Sequence, residues 1–291
     1  MPKFSANLSY MFGEVEFHDR FERAAAAGFR AVEFHFPYAA DKNQLAAHAR
    51  RAGVEVVLFN MPAGDWAKGD RGIACIPSRV SEFRDGVARA IEYAKALGCT
   101  RVNCLSGLAP ARVAPEKLRE TFVSNLRFAA GEFNGEGITL LIEPVNTRSM
   151  PGFYLRNSGQ ALAFMDEVAA PNLKLQYDVF HMQIMEGDLA ITIETNIARI
   201  GHIQIADVPD RHEPGTGEIN YPFLFEQFDR FGYQGWIGCE YTPAGRTEAG
   251  LGWLQPYLKP APAGMPAGTA GVAEGVTGAA APRHPEGGDE R

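Results

Sequence analysis

Polar side chains lie in or directly after several apolar runs of this sequence, and their types suit a divalent cation. Four of them lie in or after four separate runs, namely Glu143, Asp178, Gln204 and Glu240. An oxygen-only set without a thiolate or imidazole favours Mg²⁺ or Mn²⁺ over zinc. Three carboxylates close together would repel one another and retain protons unless such a cation neutralised them.

Glu143 and Glu240 also suit a pair of proton-transfer groups. One glutamate can remove a proton from carbon while the other returns a proton to the adjacent carbon. A divalent cation between them would polarise a carbonyl and its neighbouring hydroxyl and stabilise an enediolate. A single acid of this kind more often caps a helix or pairs with an arginine. Four on separate runs favour a metal-dependent aldose–ketose type isomerase.

The elements that must position these residues follow from the apolar pattern. Eight apolar runs predict strands, over 4–10, 31–36, 54–60, 101–106, 138–145, 173–179, 202–208 and 236–241. Helical patterns separate or follow them, over 17–27, 44–52, 81–97, 115–133, 158–168, 189–199, 221–231 and 247–258. Glycines just beyond several of these stretches are typical helix stop signals.

Alternating strands and helices of this kind predict an α/β fold with a parallel sheet. Eight β/α units in about 258 residues match a TIM (β/α)8 barrel, whose active site lies at the carboxyl ends of the strands. The structural alternative is a doubly wound open sheet. The turn after the first predicted strand lacks the glycine-rich fingerprint typical of its dinucleotide-binding members, which favours the barrel.

Composition excludes several classes of protein. The chain has 291 residues and a net charge of −7 without a basic block, which argues against binding nucleic acid or an anionic membrane surface. It has no apolar signal core and no long uncharged apolar run, so we expect a cytoplasmic location. Its four cysteines are scattered without a CxxC pair, which predicts free buried thiols. The sequence allows a homo-oligomer but does not specify one.

The last part of the chain differs in composition. Residues 259–291 are rich in Ala, Gly and Pro and contain no aromatic side chain. Such a segment cannot bury enough apolar area to offset its ordering entropy. We therefore predict two regions, a catalytic barrel over 1–258 and a disordered tail over 259–291.

A dense set of motifs resembles the hydroxypyruvate isomerase family, which belongs to the xylose-isomerase-like TIM barrels. The motifs extend over roughly residues 3–258, and they include Val32-Glu-Phe34, Pro62-Ala-Gly-Asp-Trp66, Leu141-Ile-Glu-Pro144, Gln176-Tyr-Asp178, Gly201-His-Ile-Gln-Ile-Ala-Asp207 and Gly238-Cys-Glu-Tyr241. The resemblance implies interconversion of hydroxypyruvate and 2-hydroxy-3-oxopropanoate. It places the metal ligands on Glu143, Asp178, Gln204 and Glu240, and the acid/base pair on Glu143 and Glu240.

Two departures bear on selectivity. Related ketohexose epimerases carry His where this chain has Gln204, which makes epimerase activity less expected. The segment 147–150 differs from the His-Phe-Asp type found in similar members, which leaves substrate choice open. Family members also include 2-oxo-tetronate isomerases, whose substrate is one carbon longer, and these are the alternative.

A substrate carboxylate needs a cationic partner. Arg211, in the loop after the seventh predicted strand, suits bidentate carboxylate binding, and Arg71 lies in the long connection after the third. His181, three residues past Asp178, could bind the substrate's reacting oxygens. His202 should lie deeper on the same face as Gln204 and support the ligands.

Two further classes compete with an isomerase. Some barrels of this superfamily are metal-dependent endonucleases at abasic sites, but those need more His and Asp ligands and a basic face. A sugar-acid binding barrel without catalysis would need no opposed proton-transfer groups. The Glu143 and Glu240 pair therefore favours an enzyme acting on a small 2-oxo-hydroxy acid.

Overall fold

The computed structural model describes residues 1–258, in which eight parallel strands close into a barrel. The strands are β1 (Lys3–Asn7), β2 (Ala31–Phe34), β3 (Glu55–Asn60), β4 (Arg101–Cys104), β5 (Thr139–Ile142), β6 (Leu173–Asp178), β7 (Ile200–Ile205) and β8 (Trp236–Cys239). Each strand pairs with the next along the chain, and β8 pairs with β1 to close the barrel. The predicted barrel and its eight strands are confirmed, although all strands except β3 end earlier than the apolar runs do.

Helices surround the barrel. They are α1 (Arg20–Ala26), α2 (Lys42–Ala52), α3 (Val80–Leu97), α4 (Pro115–Gly135), α5 (Ser158–Val168), α6 (Val179–Met185), α7 (Leu189–Asn196) and α8 (Tyr221–Arg230). Helix α6 was not predicted, because it begins directly where β6 ends and its apolar residues extend that run. The predicted last helix is a 3₁₀ helix over Thr247–Tyr257, in a segment whose glycines and Pro256 disfavour an α-helix.

Glycine ends helices where the sequence predicts. Gly53 follows α2 with φ of 69°, and Gly98 follows α3 with φ of 66°. Both lie in the left-handed region, where a side chain is unfavourable. Each glycine turns the chain from the outer helix back toward the next strand.

Two kinds of core result from this arrangement. Apolar side chains fill the layer between strands and helices, where Phe122 packs edge-on against Phe164 with ring centroids 4.9 Å apart. The barrel axis instead holds fully buried polar side chains, among them Glu33, Asn103 and His202. Buried polar groups need hydrogen-bond partners, so this axial layer is where a functional network is to be sought.

Three further predictions concern the cysteines, the absence of a membrane span and the tail. All four cysteines are buried and free, as predicted. None of the helices within residues 1–258 is long and apolar enough to cross a membrane. The predicted disordered tail, 259–291, lies outside the described residues.

Candidate active site

The three predicted carboxylates lie at the carboxyl ends of their strands. Glu143 directly follows β5, Asp178 is the last residue of β6, and Glu240 directly follows β8. All three are buried. Asp178 is also the N-cap of α6, because its Oδ1 accepts a hydrogen bond from the Phe180 amide at 2.8 Å. The turn from strand to helix therefore holds this carboxylate at the barrel mouth.

Glu143, Asp178 and His181 form a buried group that could hold a metal ion. One ligand atom from each lies within 4.8 Å of the others. His181 Nε2 is 3.4 Å from Asp178 Oδ2 and 3.9 Å from Glu143 Oε1. Glu240 was also predicted as a metal ligand. In this structure its carboxylate accepts hydrogen bonds from Arg211 and His35.

The tautomer of His181 follows from its neighbours. The Ser149 amide donates to Asn146 Oδ1 at 2.7 Å, so the Asn146 amide nitrogen must face the imidazole. That nitrogen is 2.6 Å from His181 Nδ1, which therefore accepts. Burial, followed by the charge of Arg211, lowers the pKa of His181 well below its usual value, so the ring is neutral. Its proton lies on Nε2, facing the carboxylates. With its proton on Nε2, His181 can donate a hydrogen bond on this side and offers no lone pair there to a cation.

The remaining carboxylates then define the metal chemistry. Burial raises the pKa of Asp178 to about 7, against the opposing charge of Arg211. Burial raises the pKa of Glu143 well above its usual value, and the charges of Glu240 and Asp178 add to this effect. Oxygen donors that ionise reluctantly by themselves are stabilised as anions by a divalent cation. The donor set therefore fits a divalent cation that prefers oxygen ligands, and the choice of Mg²⁺ or Mn²⁺ stays a prediction.

Glu240 has the opposite electrostatics. Its Oε1 accepts hydrogen bonds from Arg211 Nη2 at 2.9 Å and from His35 Nε2 at 3.0 Å. Burial opposes its ionisation, but His35 and then Arg211 outweigh burial and hold the pKa of Glu240 at about 2. In the protein without metal, the surroundings therefore favour the ionised form of Glu240 and the protonated form of Glu143. Two acids whose pKa values diverge in this way are typical of an acid/base pair.

Arg211 is brought into the site, where the sequence predicts it. Its guanidinium lies 5.1 Å from the ring centroids of both Tyr10 and Phe180, and its Nη2 is 3.4 Å from Asp178 Oδ2. It has a positive φ of 61°, an uncommon conformation for a residue other than glycine. Such local strain is typical of functional sites.

Arg71 has a different environment. Its guanidinium stacks on Trp66, 4.1 Å from the ring centroid, and Nη1 donates to the Trp66 carbonyl at 3.1 Å. Trp66 lines the cavity at the barrel mouth, whereas Arg71 lies behind it. The predicted contact of Arg71 with substrate stays a prediction.

Gln204 is buried, and both ends of its side-chain amide are hydrogen-bonded. Its Nε2 donates to Glu33 Oε1 at 2.9 Å, and its Oε1 accepts from Gln176 Nε2 at 2.6 Å. His202 lies below it, with Nε2 2.8 Å from Glu33 Oε2. In the register of β6 and β7, Gln204 is the direct neighbour of Asp178. A ligand role for Gln204 stays a prediction.

A cavity of about 830 Å³ opens at this end of the barrel. The predicted residues Glu143, His181, Arg211 and Glu240 line it. Sequence reasoning missed His35 and Tyr10, which also line it. Both lie at or just past the end of an apolar run, so applying the strand-end rule to the first two strands would have found them.

The comparison with known families decides the family. The model of the xylose isomerase-like TIM barrel family matches residues 21–257. This chain belongs to that family. The resemblance inferred from the motifs is thereby confirmed.

Two relatives are similar to this chain over nearly their whole length. The 2-oxo-tetronate isomerase of Cupriavidus necator is 52% identical over 258 residues, which are 89% of this chain and 99% of that protein. The hydroxypyruvate isomerase of Escherichia coli is 54% identical over 257 residues, which are 88% of this chain and 100% of that protein.

A solved structure is similar to the same degree. The crystal structure of AP endonuclease, family 2, from Brucella melitensis is 48% identical with a TM-score of 0.87. The match covers 89% of this chain and 100% of that one. The crystal structure of the 3-keto-D-glucoside 4-epimerase of E. coli is 20% identical with a TM-score of 0.73. That match covers 88% of this chain and 99% of the epimerase, and at this identity it shows a common fold alone.

Proposed function

We propose that this chain is a metal-dependent isomerase that interconverts hydroxypyruvate and 2-hydroxy-3-oxopropanoate. The observation that carries the proposal is the pair of buried glutamates, Glu143 and Glu240, which line one cavity and whose pKa values are shifted in opposite directions. The two relatives above 50% identity bear the names of isomerases of such acids, which supports it.

Ionised Glu240 is the base of the proposed reaction in one direction. It takes a proton from C3 of hydroxypyruvate, which forms an enediolate. Glu143 in its protonated form returns a proton to C2, and the proton of the C3 hydroxyl passes to the C2 oxygen. These transfers leave the C2 hydroxyl and the C3 aldehyde of 2-hydroxy-3-oxopropanoate. The reverse reaction exchanges the two roles. The proton on His181 Nε2 faces the carboxylates, where it can bond the C2 oxygen as negative charge develops there.

Glu143, Asp178, Gln204 and Glu240 would hold the metal through oxygen atoms. When bound, Mg²⁺ or Mn²⁺ would supply polarisation of the substrate's carbonyl and hydroxyl oxygens. Arg211 would move a hydrogen bond from Glu240 or Asp178 to the substrate carboxylate. The rings of Tyr10 and Phe180 pack against the guanidinium and keep it at the cavity.

Removal of the base tests the proposal. Glu240→Gln keeps the shape of the side chain but removes the proton acceptor, so kcat should fall by about 10²–10⁴-fold. The conversion can be followed by proton NMR with hydroxypyruvate, in wild type and variant saturated with Mn²⁺. Glu92→Gln, at an exposed surface ion pair, is the matched control and should leave kcat unchanged. A Glu240→Gln enzyme that keeps more than about a tenth of wild-type kcat contradicts the assignment.

Metal dependence needs a separate experiment. Chelation should abolish turnover, and Mg²⁺ or Mn²⁺ should restore it. Full activity in protein shown by elemental analysis to be free of metal would end the metal-dependent proposal. If the protein instead binds both metal and substrate but does not convert the substrate, it is a sugar-acid binding barrel without catalysis.

A 2-oxo-tetronate is the alternative substrate. The cavity of about 830 Å³ has room for a fourth carbon, and the Cupriavidus relative has that name. Comparison of kcat/KM for hydroxypyruvate and for 2-oxo-tetronates decides between them. An endonuclease role receives less support, because a chain of net charge −7 with glutamates at its cavity does not suit a phosphate backbone. A cytoplasmic location and a homo-oligomer stay predictions.

A further inference from the structure

A buried carboxylate that the proposed reaction does not use lies on the barrel axis. Glu33 of β2 is fully buried, and both of its oxygens accept hydrogen bonds. Oε2 accepts from Ser5 Oγ at 2.9 Å and from His202 Nε2 at 2.8 Å. Oε1 accepts from Asn7 Nδ2 at 3.2 Å and from Gln204 Nε2 at 2.9 Å. Four donors on two other strands, β1 and β7, therefore converge on one side chain.

The barrel wall leaves room for this carboxylate. A Cβ atom at Gly238 of β8 would overlap both carboxylate oxygens of Glu33. In the sheet Glu33 lies next to Asn7 of β1 and Leu58 of β3. Inside the barrel its side chain extends past β1 to reach Gln204 of β7 and Gly238 of β8. Glycine at 238 is thus the residue that admits Glu33 beneath Glu240.

Glu33 sets the direction of a chain of hydrogen bonds. Gln176 donates to Gln204 Oε1, and Gln204 Nε2 donates to Glu33. Either amide could be turned round with little change of shape. Because Ser5 donates to one oxygen of Glu33 and Asn7 to the other, Glu33 offers Gln204 an acceptor. Gln176 Oε1 has no hydrogen-bond partner among the described residues, so that end does not impose a direction. The direction is therefore imposed from Glu33.

The consequence falls on the oxygen of Gln204. With its nitrogen held by Glu33, Gln204 turns Oε1 toward β6. Side chains two residues apart on a strand share a face, so Gln176 and Asp178 project from β6 on the same side. Asp178 is also the cross-strand neighbour of Gln204. The oxygen, not the nitrogen, thus faces the strand that carries the buried aspartate.

We propose that Glu33 is a positioning residue that orients the Gln204 amide so that its oxygen is presented as the neutral metal ligand. This inference rests on the proposed metal-dependent function and adds a residue to it. Glu33 touches neither the metal nor the substrate in this account and acts only through Gln204.

Glu33→Gln is the direct test, because the introduced amide nitrogen would face two of the four donors. The Gln204 amide can then reverse and present its nitrogen to the cation. Mn²⁺ affinity, measured by calorimetry without substrate, should fall by about 10–100-fold, the usual effect of losing a partner of a metal ligand. Ser5→Ala is the matched control, since it removes one donor to Glu33 without touching Gln204, and it should change the affinity by less than about threefold.

A double variant separates positioning from general loosening of the core. Gln204→Met removes the amide but keeps the length of the side chain, and its thioether is a poor ligand for Mn²⁺. In this background Glu33→Gln should lower Mn²⁺ affinity by less than a further threefold or so, although both changes lower the thermal midpoint. A merely structural role would instead give independent losses in the two variants.

The outcomes distinguish this inference from the proposed function. Wild-type protein that binds Mn²⁺ and isomerises, together with a folded Glu33→Gln variant of unchanged affinity, overturns the inference alone. An equal loss in Ser5→Ala also overturns it. If Glu33→Gln does not fold, the Mn²⁺ affinity of Gln204→Met is the test. An unchanged affinity in that variant would mean that Gln204 is not a metal ligand, so Glu33 would have no ligand to position, and the inference would be overturned. Wild-type protein that binds no Mn²⁺ overturns both proposals.

Discussion

Proton release on metal binding follows from the shifted carboxylates, and Asp178 gives its magnitude. Burial raises the pKa of Asp178 to about 7, whereas the cation requires the ionised form. With that pKa, roughly nine-tenths of Asp178 is ionised at about pH 8 and roughly one-tenth at about pH 6. Apparent Mn²⁺ affinity should therefore fall about tenfold between these pH values from Asp178 alone.

The other two carboxylates fix the direction of any additional effect. The pKa of Glu143 is also raised, so any ionisation of Glu143 that accompanies metal binding would add to the loss of affinity at low pH. The pKa of Glu240 lies at about 2, so it is ionised throughout the window and contributes nothing to the pH dependence. The tenfold change is thus a lower limit.

Stability without metal should change with pH in the opposite sense. A carboxyl whose pKa is higher in the folded than in the unfolded chain binds its proton more tightly when folded. The metal-free protein therefore loses stability as pH rises from the ordinary value of 3.8 to about 7, the window between the two pKa values of Asp178. Mn²⁺ should raise the thermal midpoint more at about pH 8 than at about pH 6.

Calorimetry in two buffers of different ionisation enthalpy measures both affinity and released protons. Asp178→Asn should weaken binding and remove most of its pH dependence, while Asp166→Asn, at an exposed ion pair, should leave both unchanged. An affinity independent of pH across this window, with no proton released, would refute the reasoning.

Three further predictions concern other parts of the chain. Arg211→Ala should raise KM for hydroxypyruvate far more than Arg71→Ala in steady-state assays, because Arg211 lines the cavity and Arg71 stacks behind Trp66; equal effects would place both at the substrate. Truncation after Leu258 should leave kcat and the thermal midpoint nearly unchanged, since the remainder lacks apolar anchors; a large drop in the midpoint would show that it docks. Phe122→Ala should cost about 3–5 kcal/mol in urea unfolding, because Phe122 is fully buried, and Phe223→Ala, at a half-exposed ring, should cost far less.

Sequence alone predicted the barrel and the main residues of the candidate site. Apolar runs that alternate with helical patterns predict a parallel barrel, because each run must be covered on the outside by a helix. Strand ends in such a barrel meet at one mouth, so Glu143, Asp178 and Glu240 could be placed together without a structure. Their sequence positions, although up to 97 residues apart, are equivalent in the repeating pattern.

Local boundaries were less predictable. Helix α6 begins where β6 ends, and Asp178 serves both elements. The last helix is 3₁₀ rather than α. Hydrophobic pattern does not separate two adjoining elements that are both buried, so only the backbone geometry decides such boundaries.

Contacts inside the barrel between strands that are not neighbours in the sheet could be found only in the tertiary structure. Glu33 and Gln204 are 171 residues apart, and His35 and Glu240 are 205 apart. Nothing in the local sequence of β2 indicates that Glu33 reaches β7 inside the barrel, since that depends on the space that Gly238 of β8 leaves for it. The divergent pKa values of Glu143 and Glu240 likewise depend on which charges the closed barrel brings near each carboxylate. Chain pattern thus determined which residues reach the mouth, and closure of the barrel decided which partners hold them, because burial and charge act through space rather than along the chain.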